Sequence, residues 1–182
     1  MTTIAVIVGS LRKGSFNRLL AQALREVAPA SFELNEVAIG ELPFYNEDLD
    51  TGSPPAQWRS FREQIRNSDA VLFITPEYNR GVPGVVKNAI DVGSRPMKDS
   101  IWRGRPSTVI SLTRGKLGAM AANHNLKHTL GAIGSPVMAF PEANLGDADS
   151  LFDASGKLTN EHTRKFLGNV MTEFDSWIGR FK

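Results

Sequence analysis

The chain contains no cysteine, which excludes a disulfide framework, thiolate metal sites, cysteine nucleophiles and iron–sulfur ligation. It also lacks a charge excess: the formal net charge is +2 over 182 residues. Nothing here implies a nucleic-acid partner, and a small anionic ligand is enough to explain a few clustered arginines. No apolar run approaches the roughly 20 residues that crossing a bilayer requires. No basic segment precedes the first apolar run, so neither membrane insertion nor a signal peptide is expected, and the expected location is the cytoplasm. Histidine is scarce. His124 and His128 stand four apart on a predicted helix, His162 stands alone, and none has an acidic third partner at ligand spacing. Surface roles and no metal site follow. No serine sits in a Gly-x-Ser-x-Gly elbow, so the acyl-transfer template fails.

What is present is ordinary globular composition, 41% hydrophobic and 22% charged. The length suits one domain over residues 1–182, and repeats, low-complexity tracts and linkers are lacking. Residues 3–8 form a nearly continuous apolar run, as in a strand buried on both faces. A Gly/Ser-rich turn follows, Ser15 reads as a helix N-cap, and Phe16, Leu20, Leu24 and Val27 recur at helical spacing. Further strands are expected at 32–39, 69–75, 108–112 and 136–140. Further helices are expected at 55–67, 82–92 (with Pro83 in the first turn), 117–133 and 159–181. Strand–helix alternation implies an α/β fold, a parallel sheet covered on both faces by right-handed crossovers in three layers.

Five such strands fit either common doubly wound order, and the loops favour the flavodoxin-like order 2-1-3-4-5. Ligands of open α/β sheets sit at the carboxyl ends of the strands where the winding reverses, here between the first and third strands. The two most unusual loops would meet there. The first, Gly9-Ser10-Leu11-Arg12-Lys13-Gly14-Ser15, offers backbone N–H groups, two hydroxyls and two cations just before a helix N-terminus, the donors a phosphate dianion needs. It is not a Walker A loop, since Gly14 is followed by Ser15 rather than Lys-Ser/Thr, and it lacks Gly-x-Gly-x-x-Gly spacing. A terminal monophosphate suits it better than a bridging pyrophosphate; the bland reading is a glycine-rich turn. The second, Thr75-Pro76-Glu77-Tyr78-Asn79-Arg80-Gly81, pairs loop hydrogen-bonding groups with a Tyr78 ring able to pack on a flat aromatic ligand. The bland reading there is a Pro/Asn/Gly turn with solvated Glu77 and Arg80. A third segment, Ser111-Leu112-Thr113-Arg114-Gly115, completes the wall or is an ordinary turn. Arg114 and Arg80 are candidates for phosphates of NADPH or NADH, because arginine pairs with phosphate in bidentate fashion.

Gly9-Ser10-Leu11-Arg12-Lys13-Gly14-Ser15-Phe16-Asn17 and Thr75-Pro76-Glu77-Tyr78-Asn79, followed by Val82-Pro83-Gly84 and Lys87-Asn88-Ala89-Ile90-Asp91, resemble the NADPH-dependent FMN reductase family, most closely its bacterial chromate/quinone reductase branch. The resemblance implies a flavodoxin-like flavoprotein with bound FMN, using NADPH or NADH to reduce quinones by two electrons in ping-pong fashion. It also implies side activity on chromate, other oxidised metals or azo compounds, and a homodimer or homotetramer. Carried over, Gly9, Ser10, Arg12, Ser15, Phe16 and Asn17 would hold the FMN phosphate end. Pro76, Glu77, Tyr78 and Asn79 would line the isoalloxazine ring, with Ser111 in the third contact loop. The flavin carries the hydride, so no side-chain acid or base is named. The chain departs from the pattern at Arg80 and Gly81, where an aromatic or small residue and a serine are usual. It departs again at Val92, which replaces a frequent tryptophan.

Two rivals remain: a flavin reductase that releases reduced FMN to a monooxygenase, and a one-electron carrier of the flavodoxin type. Such carriers are strongly acidic for docking, unlike a chain at +2. A phosphoryl-receiver module would need an acidic cluster where Gly9-Ser10-Leu11-Arg12 stands.

Overall fold

A computed structural model describes residues 1–182. Five strands form one parallel sheet: β1 (Thr2–Val8), β2 (Phe32–Glu36), β3 (Ala70–Thr75), β4 (Ser107–Leu112) and β5 (Ala143–Leu145). Their order is β2-β1-β3-β4-β5, the flavodoxin-like order expected from the loops. Because side chains alternate along a strand, β1 sends Ile4, Val6 and Val8 to one face and Ala5 and Ile7 to the other. The first face is covered by α1 (Phe16–Val27) and α5 (Glu161–Ile178) through Leu20, Leu24, Leu167, Val170 and Phe174. The second is covered by α2 (Ala56–Arg66), α3 (Gly84–Gly93) and α4 (Met120–Ala132) through Trp58, Phe61, Ile90 and Leu126. Burial on both faces is why β1 and β3 read as unbroken apolar runs. No helix is long and apolar enough to cross a membrane.

The fifth strand lies elsewhere than expected. Residues 136–140 contribute only an isolated parallel bridge, Val137 opposite Ser107, and the strand proper is Ala143–Leu145, paired with Ile110, Ser111 and Leu112. Between Val137 and Ala143 the edge chain uses six residue steps where β4 uses three, from Ser107 to Ile110. The surplus loops outward and leaves Phe140 80% exposed. Pro136 and Pro141 bring no N–H to a ladder, and only an edge strand tolerates such an interruption.

Other boundaries shift for local reasons. β2 ends at Glu36; Val37 keeps one bond to β1, its N–H donating to the Val6 carbonyl at 2.9 Å, and Val37 and Ile39 pack into the core with residues of α2 and α3. Helix α3 begins at Gly84 because Val82 precedes a proline, which disfavours helical geometry there. Helix α4 begins only at Met120, since Gly118 and Ala119 both hold positive φ, 62° and 60°. Asn160 caps α5 by accepting the Thr163 N–H at 2.9 Å.

The long connection from β2 to α2 is held against the second face by buried polar anchors. Arg62 donates to both carboxylate oxygens of Asp50 at 2.9 and 2.7 Å and to the Val92 carbonyl at 2.9 Å. The Trp58 indole donates to the Pro43 carbonyl at 2.9 Å, and Asn88 accepts the Tyr45 N–H at 2.8 Å. A loop this long has little structure of its own, so these bonds fix its path beside the β1–α1 loop. There Gly40 lies so close to Leu11 that a Cβ would sit 3.1 Å from its Cδ2.

Candidate functional site

The β1–α1, β3–α3 and β4–α4 loops converge at the carboxyl edge of the sheet, where β1 and β3 are neighbours. Gly9 ends the β1 ladder by donating its N–H to the Ile74 carbonyl at 2.8 Å. A Cβ on Gly9 would stand 2.7 Å from Val86 Cγ2 and 3.2 Å from Pro76 Cδ. Glycine is therefore what lets the first loop pass beneath the second.

Beyond Gly9, no backbone N–H of residues 10–17 donates to an acceptor within the protein. Helix α1 starts from Ser15, whose carbonyl accepts the Arg18 and Leu19 N–H groups at 3.0 and 3.2 Å, while its hydroxyl caps nothing. That hydroxyl is buried and has no hydrogen-bond partner, and neither has the Asn17 carbonyl oxygen, Oδ1. The Asn17 amide nitrogen donates to the Leu112 carbonyl at 3.3 Å, which fixes the side chain with Oδ1 as the free acceptor. Arg12 and Arg114 approach the Phe16 ring, their guanidinium carbons 5.9 and 5.4 Å from its centroid. Arg12 is steadied by a bond to the Gly14 carbonyl at 2.6 Å, and Arg114 by Asp149 at 3.1 Å.

These groups surround a cavity of about 190 Å³. Its α1 side is Ser10, Arg12, Ser15, Phe16 and Asn17; Pro76 and Tyr78 close it from β3, and Leu112, Thr113 and Arg114 from β4. No acidic side chain lines it. Unpartnered N–H groups, a free buried hydroxyl, a helix N-terminus and two arginines fit a phosphate monoester, and the free Asn17 oxygen fits a neighbouring ligand hydroxyl. The volume is below the roughly 300–1,000 Å³ of a pocket enclosing a whole cofactor. The cavity thus suits a ligand's anionic end, beside a Tyr78 ring left 53% exposed.

The structure brings together Ser10, Arg12, Ser15, Phe16, Asn17, Pro76, Tyr78 and Arg114, with Gly9 at the base of the loop, while Glu77, Asn79, Arg80 and Ser111 do not line this cavity. Asn79 and Arg80 form the tip of a tight turn at φ 51° and 65°, closed by mutual hydrogen bonds between Tyr78 and Gly81 at 3.1 and 3.0 Å. Positive φ at both central residues suits Asn79 and strains Arg80. Arg80→Gly is expected to raise the stability to urea by about 0.5 kcal/mol, the strain relieved exceeding the chain entropy added to the unfolded state. An unchanged or lowered urea midpoint would contradict the strain.

The Arg80 side chain reaches Glu77 at 3.5 Å rather than the cavity. Ser111 is fully buried, its hydroxyl donating to the Gly118 carbonyl at 2.6 Å and receiving the Asn123 amide at 3.2 Å. Asn123 and Asn144, which complete this network, carry no motif in the sequence that could have flagged them. Thr113 lies in the wall, within the third segment expected to complete it. His124 pairs with Glu142 at 3.0 Å, and His128 and His162 are exposed.

Residues 2–149 match the family described as NADPH-dependent FMN reductase. A quinone reductase of Pseudomonas putida is 54% identical over 176 residues, spanning 97% of this chain and 94% of the relative. A 2-hydroxy-1,4-benzoquinone reductase of a Burkholderia species is 41% identical over 175 residues, spanning 96% and 95%. The solved structure of FerB, a flavoenzyme NAD(P)H:(acceptor) oxidoreductase of Paracoccus denitrificans, superimposes with a TM-score of 0.93 at 41% identity, over 100% of this chain and 99% of that one.

Proposed function

The chain belongs to the NADPH-dependent FMN reductase family, and on that premise we propose that it is an FMN-holding NAD(P)H:quinone oxidoreductase acting as one domain. The observation that carries this reading is the cradle at the start of α1, with its unpartnered N–H groups and the free Ser15 hydroxyl. Bound FMN supplies the two-electron chemistry that no side chain of this site can perform.

The protein's own residues bind and orient. Ser10, Ser15, Arg12 and the N–H groups of the first loop hold the phosphate, and Asn17 accepts from the adjoining polyol chain. Pro76 and Tyr78 offer the apolar surface against which a flat ring packs. Arg114 lies at the phosphate cavity, whereas Arg80 is exposed and held only by Glu77, which leaves Arg80 the freer of the two arginines to meet the nucleotide donor. The names of the relatives point to quinones as acceptors. Chromate, other oxidised metals and azo compounds are proposed as secondary acceptors, and a cytoplasmic homodimer or homotetramer as the working form.

Purified protein is expected to be yellow, to keep FMN through gel filtration, and to oxidise NADPH or NADH with a benzoquinone in ping-pong kinetics. Loss of all flavin on the column, with turnover restored by free FMN, would favour the flavin-reductase reading. Protein that neither binds FMN nor oxidises NAD(P)H would overturn the proposal.

A further inference from the structure

Helix α4 begins without a cap of its own. Its N-cap residue is Ala119, at φ 60° and ψ 34°, which has no polar side chain to offer. The exposed donors of a helix N-terminus need acceptors, and a carboxylate there also meets the positive end of the helix dipole. In this fold the acceptor comes from far along the chain. Glu77 Oε2 accepts the Ala122 N–H at 3.1 Å across 45 residues of sequence, and Oε1 lies 3.5 Å from Arg80. The Glu77 side chain is 14% exposed and Arg80 72%, so the helix contact is the sheltered partner and the arginine contact the solvated one.

Glu77 sits between Pro76 and Tyr78, which form one wall of the phosphate cavity; α4 follows directly on the loop that carries Thr113 and Arg114, in the opposite wall. We propose that Glu77 is a positioning residue that fastens the N-terminus of α4 to the β3–α3 loop, setting the separation of the two cavity walls without touching the ligand. This rests on the cavity being the flavin site, and it departs from the family expectation that Glu77 lines the ring. The arrangement is electrostatically coherent. A carboxylate turned into the cavity would repel a phosphate dianion, whereas at the start of α4 its charge is compensated by the helix and Arg80.

The test uses Glu77→Ala and Glu77→Gln, because a glutamine oxygen can still accept the Ala122 N–H. Amide hydrogen exchange on the flavin-free protein reads the clamp directly. Glu77→Ala is expected to exchange Ala122 about tenfold faster, as for a lost helix cap, with Glu77→Gln within about twofold of wild type. FMN titration by fluorescence quenching reads the consequence: about fivefold weaker binding for Glu77→Ala and near wild-type binding for Glu77→Gln. Unchanged Ala122 exchange in Glu77→Ala would overturn the clamp. Faster exchange with wild-type FMN affinity would overturn its role in setting the cavity, and Glu77→Gln as weak as Glu77→Ala would assign the effect to charge instead. Wild-type protein that binds no FMN, with the exchange difference intact, would sink the flavin reading of the cavity and not the clamp.

Discussion

Replacing Ser15 by aspartate is expected to stabilise the flavin-free protein by about 0.5 kcal/mol while weakening FMN binding by about 100-fold or more. The opposite signs follow from one side chain serving two states. In the folded chain the Ser15 hydroxyl caps nothing, and the first turn of α1 holds no acidic residue. An aspartate at that N-cap would accept a first-turn N–H and oppose the positive helix end, both favourable. The same carboxylate would remove a hydroxyl donor from the cradle and place a negative charge against a phosphate dianion. A charge-assisted hydrogen bond is worth about 1.5–3 kcal/mol, so losing one and adding repulsion accounts for the predicted loss. Urea unfolding of the flavin-free protein and FMN titration of the same preparation give the two numbers. Undiminished FMN affinity would show that the phosphate does not sit in this loop.

Gly118→Ala should be the most damaging small substitution in the β4–α4 loop, costing about 4 kcal/mol of stability from backbone strain plus steric overlap. Gly118 holds φ 62°, and a Cβ there would stand 2.5 Å from the Asn144 carbonyl carbon, 2.6 Å from its oxygen and 2.7 Å from the Leu145 nitrogen. These are backbone atoms of β5, so no side-chain rotation relieves the contact. The Gly118 carbonyl also accepts the buried Ser111 hydroxyl, so moving the loop would cost that hydrogen bond as well. Denaturant midpoints would measure the cost, and a loss below about 1 kcal/mol would mean that the loop relaxes away from β5 freely. Because the β4–α4 loop carries Arg114, weaker FMN binding should accompany the loss of stability.

The parts of the fold legible in the sequence are those encoded locally. β1 and β3 are buried on both faces, so their apolar runs identify them without neighbours. The loop proposed to hold a phosphate is legible because glycine, hydroxyls and a helix start follow one another within residues 9–17. The fifth strand was misplaced because residues 136–140 are as apolar as a strand, while Ala143–Leu145 is short and lies at an edge. Which of the two pairs with β4 depends on where Thr113, Gly118 and Gly146 allow the backbones to meet, a long-range matter.

By itself the sequence favoured the strand order that the sheet shows, through its two odd loops, and determined that glycine, hydroxyls and cations stand together in residues 9–17. Only the tertiary structure decided where the remaining polar side chains turn: Glu77 to the start of α4, Ser111 into a buried network with Asn123 and Asn144, and Arg80 to Glu77 in solvent. The physical reason is range. A phosphate-binding loop is satisfied by residues next to one another in the chain. A carboxylate or hydroxyl at the sheet edge takes whichever partner packing brings to it, here across 45 residues for Glu77 and 12 for Ser111.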